Sequence, residues 1–582
     1  MKNAHRTLCP ILAGMLMACL PAQGRAEFRD LYSDTWVAAD ALGRTLPGYE
    51  ECGPPRKDRT VGIFYFLWLG QHGVGGPYDI TAMLADNPDD PKYGPPGAFH
   101  HWDQAELGYY LSDSEYVIRK HVSMLVDAQI DTLIFDVTNG PTYNGPYMTV
   151  CKVFTELRNA GRPTPQICFL THSHSAQVIT RIYNDFYAKN LYPDLWFRWK
   201  GKPLILGPAE NLDPEIRDFF TIRDCWAWTH GKDTWQWLDH TPQKYGWHES
   251  PDKPEEVSVS AAQHPTSNIG RSFQNGKQPP HDKYARTDTM HLGLYFDEQW
   301  KSALKTDPQF IFITGWNEWV AQRFITTSGQ HFLGRPLPDG GTFFVDQYSQ
   351  EFSRDIEPMA GGHTDNYYYQ MIAGIRRYKG VRPPPTASPP KTITVDGDFS
   401  DWTDVRPEYR DTIGDTLHRS ERGWGSAGTY TNTTGRNDFV AAKVACDAAA
   451  VYFYIQTADA VTPRTDPNWM LLFIDADCDP ATGWHGYDYV VNRSVVDDMA
   501  TTLAHTDGRW NWKTVAQLPY RVRGSEMEIR IPRNRIGQEA KIAFDFHWAD
   551  NIQKEDDIIE FAVSGDSAPN RRFNYRYQQP AK

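Results

Sequence analysis

The sequence predicts an α/β chain with a (β/α)8 TIM-type barrel over residues 27–382, followed by an all-β sandwich over residues 391–582. Three observations predict it. Before residue 383, apolar runs alternate with helical patterns, the order that builds a parallel sheet. After residue 390 the pattern changes to short alternating runs separated by turn residues. Between the two, residues 383–390 (PPPTASPP) favour extended polyproline II and are excluded from a sheet interior, so they read as an interdomain linker.

Each element has its own signal. Residues 61–69 (VGIFYFLWL) form a near-continuous apolar run, as expected of a strand buried on both faces. Residues 113–129 are helical: Val117, Ile118, His121, Val122, Leu125 and Val126 share one face, and Ser112 and Glu115 have capping-box spacing. A second strand is 132–136. Further buried runs are 166–171, 203–206, 222–228, 256–261 and 309–316. A closing helix over 363–378 places Tyr368, Met371, Ile372 and Ile375 at i, i+3, i+4, i+7. Seven strands fit an eight-stranded barrel with one strand hidden, and no glycine-rich nucleotide fingerprint follows the first strand. Beyond the linker, 450–455, 469–474 and 527–531 are the clearest sandwich strands.

The chain has 582 residues and a formal net charge of -14, which excludes nucleic acid and anionic membranes as partners in the absence of a basic patch. Aromatic residues make up 13%, including 20 Trp, a side chain suited to stacking on sugar rings. Lys2, His5 and Arg6 precede an apolar stretch, 8–20, that is too short to span a bilayer. Gly24-Arg25-Ala26 has the small-x-small form of a cleavage site. Residues 1–26 are therefore read as an export signal and the mature chain as secreted or periplasmic. Leu16-Met17-Ala18-Cys19 resembles a lipobox, which makes a lipoprotein anchored through Cys19 the alternative. No later segment reads as transmembrane. Six widely spaced cysteines remain after cleavage, with no Cys-x-x-Cys pair.

The sharpest chemical signal is Trp316-Asn317-Glu318-Trp319, at the end of the 309–316 strand. Barrel enzymes carry their chemistry at the C-terminal ends of strands. Glycoside hydrolysis needs one carboxyl group to protonate the leaving oxygen and another to attack or to activate water. Neighbouring indoles desolvate a carboxyl group and raise its pKa. This motif resembles the signature of glycoside hydrolase family 99 and of the related family 71 and WbsX-like proteins, which are (β/α)8 barrels. The stretches Leu294–Trp300 and Gly62–Phe66 are compatible with that type. The resemblance implies Glu318 as a catalytic carboxylate. Family 99 continues to a second Glu three residues later, where this chain has Ala321, so the partner is left to other strand ends.

Asp136, ending the second strand, is the first candidate for that partner; Asp297, Glu298, Glu249 and Asp346 follow. Asn317, Trp316, Trp319, Tyr65, Trp68, His172, His174, Trp226, Trp228 and His230 are candidate substrate contacts, all at or near strand ends. The His172-Ser173-His174 pair could instead hold a metal.

The C-terminal segment resembles family 9 carbohydrate-binding modules in residues 393–402 (ITVDGDFSDW) and in 473–479 (FIDADCD) continuing to Asp488-Tyr489. Asp475, Asp477 and Asp479 alternate along a loop and could supply oxygen ligands to Ca²⁺, although the EF-hand glycine and glutamate are absent. The reading is an exported glycoside hydrolase that needs no cofactor for catalysis, acts on a polysaccharide or glycan, and carries an appended sugar-binding domain. Two rivals stand beside it: a non-catalytic glycan-binding protein on a degenerate barrel, motivated by Ala321, and a metal-dependent hydrolase using His172 and His174.

Overall fold

The computed structural model describes residues 28–279, 288–327, 329–540 and 542–579. Residues 1–26, read as an export signal, and Cys19 lie outside them. All seven barrel strands expected from the sequence are present and mutually parallel. They are β1 (Thr60–Tyr65), β2 (Thr132–Val137), β3 (Gln166–Thr171), β4 (Lys202–Leu206), β5 (Thr221–Cys225), β6 (Pro254–Ser260) and β7 (Phe310–Thr314). They pair in the order β6-β7-β1-β2-β3-β4-β5. Among the described residues no regular strand fills the eighth place. The run Gly231–Trp235 pairs with β5 at Asp224 and Cys225, then with Gly246, and Gly246 pairs with β6 at Glu256. The sheet is thus barrel-like, closed by short irregular segments.

Helices cover the outside: α1 (Glu115–Asp127), α2 (Asn144–Asn159), α3 (Ser175–Ile182), α4 (Pro214–Phe219), α5 (Leu294–Thr306) and α6 (Asn366–Lys379). The capping box expected at Ser112 does not form, and the N-cap lies two residues further on. Ser114 is the N-cap of α1 and its hydroxyl accepts from the Val117 N–H, while Ser112 takes the Leu69 N–H.

The C-terminal region holds β8 (Phe439–Cys446), β9 (Ala450–Thr457), β10 (Leu471–Asp475), β11 (Tyr489–Val495), β12 (Ala500–His505), β13 (Lys513–Arg523), β14 (Glu526–Pro532) and β15 (Ala543–Asp550). They form one antiparallel path, β8-β9-β14-β13-β12-β11-β10-β15. The expected sandwich of two separate sheets is replaced by a barrel-like sheet that turns at β13. The first half of that strand pairs with β12 and the second half with β14. Phe453 of β9 meets Phe544 and Phe546 of β15 across the core, at ring distances of 5.5 and 5.6 Å.

The two regions are docked. Arg571 makes a two-pronged pair with Glu106 at 2.7 and 2.9 Å. The hairpin Arg419–Arg422/Thr429–Asn432 reaches the barrel loops. Glu421 accepts from the Tyr116 N–H at 3.1 Å and from the Ser114 hydroxyl, Trp424 Nε1 donates to the Gly75 carbonyl at 2.8 Å, and Tyr430 Oη accepts from the Tyr109 N–H at 2.9 Å. The start of α1 is therefore capped from both regions. The linker segment 383–390 carries no helix or strand. Cys52, Cys151, Cys168, Cys225, Cys446 and Cys478 are all unpaired thiols. Among the described residues no helix is long and apolar enough to cross a membrane.

Candidate active site at the strand ends

Gly315, just past β7, builds the site. Its φ of +97° belongs to the left-handed side, and a Cβ there would lie 2.7 Å from Asp355 Oδ1 and 2.8 Å from the Arg354 carbonyl. Only glycine lets the 354–355 backbone approach this closely. Ile356 N–H then donates to the Gly315 carbonyl, and Glu357 N–H to that of Trp316. The approach puts the Asp355 carboxylate on the Glu318 N–H at 2.8 Å.

Glu318 is 2% exposed. Its Oε2 accepts from Arg354 Nη2 at 2.5 Å and from Gln347 Nε2 at 2.8 Å. Its Oε1 has no partner among the described residues and is not a sealed-off atom, so it is the oxygen left for a ligand. Burial pushes the Glu318 carboxyl well above the ordinary range; Arg354 opposes that shift, while Asp346 and Asp355 add to it. Asp355 is raised to about 6, again chiefly by burial.

Asp136 belongs to the same electrostatic group. It is buried, accepts from the Thr138 N–H at 3.0 Å, and is pushed up to about 6 by desolvation, with Asp346 raising and Arg354 lowering it. Asp346, ranked lower from the sequence, is the most accessible acid of the group at 36% side-chain exposure. It lies 3.6 Å from Arg354 and 3.4 Å from His264 Nδ1. Burial drives His264 down to about 4, so it is neutral at neutral pH. Asp297, Glu298 and Glu249 are partners of Lys301, of the Asn275 N–H and of Lys253, away from this group.

An aromatic wall adjoins the acids. Arg354 lies over Trp237 at 5.0 Å, Trp237 meets His264 at 5.9 Å and Trp226 at 5.7 Å, and Trp226 stacks on His172 at 3.4 Å. Trp68 Nε1, Trp237 Nε1, His172 Nδ1 and His264 Nε2 are buried without a hydrogen-bond partner, atoms that a hydroxyl-rich ligand could satisfy. Trp228 is 41% exposed and has a left-handed φ of +60°, an indole held out to solvent by a costly backbone conformation. His230 is exposed nearby.

Several expected contacts point elsewhere. Asn317 is spent on the neighbouring strand: its Oδ1 accepts from the Phe66 N–H at 2.8 Å and its Nδ2 donates to the Phe66 carbonyl at 3.1 Å. Trp316 is sealed among His121 and Tyr368. Trp319 stacks on Trp102 at 4.3 Å and donates to Glu357 at 2.6 Å. Tyr65 faces the helix layer, its hydroxyl on His121 Nδ1 at 2.9 Å, and His121 in turn meets Glu357 at 2.8 Å. These four side chains hold the strand ends together and do not line the site.

The His172/His174 metal reading loses its geometry. His172 is engaged with Trp226, His174 is exposed at the start of α3, and neither joins a group of three convergent ligands among the described residues. In the C-terminal region, Asp475 and Asp477 do converge, but with Asp488. Asp479 instead accepts from the Ala481 N–H at 3.0 Å. Burial, followed by the charge of Asp545, pushes Asp475 up to about 8.

Sequence reasoning did not find Arg354, Gln347, Asp355, Trp237 or His264. No model of a known protein family matches the chain, and no curated protein matches it in sequence. Among solved structures, similar ones include the family 99 endo-α-mannosidase from Bacteroides thetaiotaomicron, at 17% identity and a TM-score of 0.33, covering 56% of this chain and 99% of that one. The same enzyme in complex with BIS-TRIS-propane is 16% identical, with a TM-score of 0.32 and coverages of 55% and 97%. A glycoside hydrolase-like protein is 12% identical, with a TM-score of 0.33 and coverages of 56% and 95%.

Proposed function

We propose that this chain is an exported glycoside hydrolase in which Glu318 delivers a proton to the leaving glycosidic oxygen. One observation carries the reading. A carboxyl group beyond the end of a barrel strand has its proton affinity raised by burial, keeps one oxygen free, and sits beside indole and imidazole rings with unpartnered nitrogen atoms. A general acid needs a proton at working pH, and a sugar needs an apolar wall with donors. The second carboxylate is Asp136, with Asp346 as its more accessible competitor; the ionised member attacks the anomeric carbon or activates water.

The C-terminal region serves as a sugar-binding domain in this reading. Trp510 and Trp512 are half-buried, packed on Phe473 and Trp484, and their Nε1 atoms have no partner. Calcium at Asp475, Asp477 and Asp488 belongs to the same proposal, since three carboxylates without nitrogen or sulfur ligands suit a hard cation.

A panel of polysaccharides screened for new reducing ends tests the reading, with the wild type beside the double variant Asp136→Asn, Glu318→Gln. Release by the wild type alone is expected. Equal release by both would remove these acids from the chemistry. Binding of a glycan without release by the wild type would favour the glycan-binding protein instead. Single variants at Asp136 and Asp346 then divide the partner role: the true partner loses about 10²–10⁴-fold in kcat.

A further inference from the structure

A second acidic group lies apart from both sites above. Asp411 and Asp415 come from one loop, and Asp566 begins the short strand Asp566–Ala568 that pairs with β15. One carboxylate oxygen from each lies within 4.8 Å of the others, and all three residues are buried. Close packing of three acids proves nothing by itself, because protons or hydrogen bonds can absorb the charge. Here hydrogen bonds absorb only part of it. Asp411 is 1% exposed, and neither of its carboxylate oxygens has a partner; Asp415 Oδ1 is buried and unpartnered as well. Asp566 is only partly satisfied, through the Phe439 and Ser567 N–H groups at 2.6 and 2.9 Å.

Nor do the nearby cations pair with these carboxylates. Lys120 Nζ reaches the Asp415 carbonyl at 3.4 Å, and Arg162 donates to the Gly414 carbonyl at 3.3 Å and to the Ser123 hydroxyl at 3.1 Å. Asp438, beside the group, is occupied by the Gly414 N–H. From the barrel side, Asp127 of α1 gives one oxygen to Asn570 at 2.9 Å and leaves the other buried without a partner. Asp127, Asp415 and Asp566 line one small cavity of about 30 Å³, together with Lys120, Asn570 and Arg571. That is room for one ion or water.

We propose that Asp411, Asp415 and Asp566 bind a divalent cation of the Ca²⁺ class, on the face of the C-terminal region that meets helix α1 of the barrel. The donor set is all oxygen, with no histidine or thiol, and that composition selects a hard cation over zinc or copper. An ion neutralises charges that burial and mutual repulsion otherwise oppose. Its place beside Asp127 and Asn570 makes it a component of the interface and not of either hydrophobic core.

The test uses the full chain, stripped with chelator and titrated with CaCl₂, in an Asp477→Asn background that removes the other acidic group. The parent is expected to bind roughly one calcium ion per chain and to gain about 2 °C in Tm at a hundredfold excess over Kd. Asp411→Asn should abolish both. In chelator, the same variant should melt no lower than its parent, because the substitution relieves repulsion. Asp566→Asn should reproduce the loss if Asp411→Asn folds poorly. Calcium binding and Tm gain unchanged in both variants would overturn the proposal, as would a parent that binds no calcium; the acids would then be sharing protons.

Discussion

Glu318→Gln is expected to lower kcat on the natural glycan by about 10²–10⁴-fold, the contribution of a positioned general acid. KM should change by no more than a few-fold, and Tm should stay close to the wild type. The physical reason lies in the protonation state. Burial raises the Glu318 carboxyl above its ordinary range and so favours the neutral carboxylic form, with which the amide is nearly isosteric. The amide oxygen can still accept from Arg354 and Gln347. What it cannot do is surrender a proton. Steady-state kinetics beside a thermal melt checks this. A fall in Tm that accounts for the lost activity, or activity within a few-fold of wild type, would reduce Glu318 to an ion-pair partner of Arg354.

Arg354→Met should be harsher and different in kind. The guanidinium is the one buried cation shared by Glu318, Asp346, Asp355 and Asp136. Its removal leaves buried acids without their counter-charge, at a cost of about 3–5 kcal/mol in unfolding free energy. Urea denaturation would read this directly. The pH profile carries a second, separable signature. Arg354 lowers the pKa of Glu318, so its loss raises that pKa further. The alkaline limb of kcat, where the acid gives up its proton, moves to higher pH. The sign for stability follows the same logic. With its folded pKa raised, Glu318 adds stability below its unfolded pKa that is lost as pH rises through the folded one, so the variant should be weakest on the alkaline side. Arg354→Lys keeps the charge but not the planar fork, and should recover stability better than rate.

Most of the barrel strands are legible in sequence because they are buried on both faces and read as apolar runs, as β1, β2 and β7 do. That same feature hides orientation. In VGIFYFLWL both faces are apolar, so nothing distinguishes Tyr65, which meets His121 in the helix layer, from Phe64, which meets Trp237 inside. The eighth position is invisible because Gly231–Lys232, Thr234–Trp235 and Gly246–Trp247 are each too short to make a pattern. Glu318 stands out by its place at a strand end. Arg354, Gln347 and Asp355 do not, since the segment from Gln347 to Glu357 is polar yet buried and has no helical or strand period. The length of chain between β7 and α6 was the available hint, being long for a plain connection. Asp488 was missed for a simpler reason. It meets Asp475 across the β10–β11 pairing, whereas local spacing sees only Asp479.

The docking of the two regions changes what the proline-rich segment is for. Arg571 on Glu106, Trp424 on Gly75 and the Glu421 cap on α1 all join the halves without passing through residues 383–390. The N-terminal strip adds to them: Trp36 packs on Phe573 at 5.3 Å, and the Val37 and Asn574 backbones are bridged. Assembly is therefore expected to survive the loss of covalent continuity at the linker. A chain cleaved at an engineered protease site within 383–390 should still elute as one particle, and the halves should come apart only in denaturant. On that outcome the contacts between the regions, and not the peptide link, would be what keeps the molecule whole.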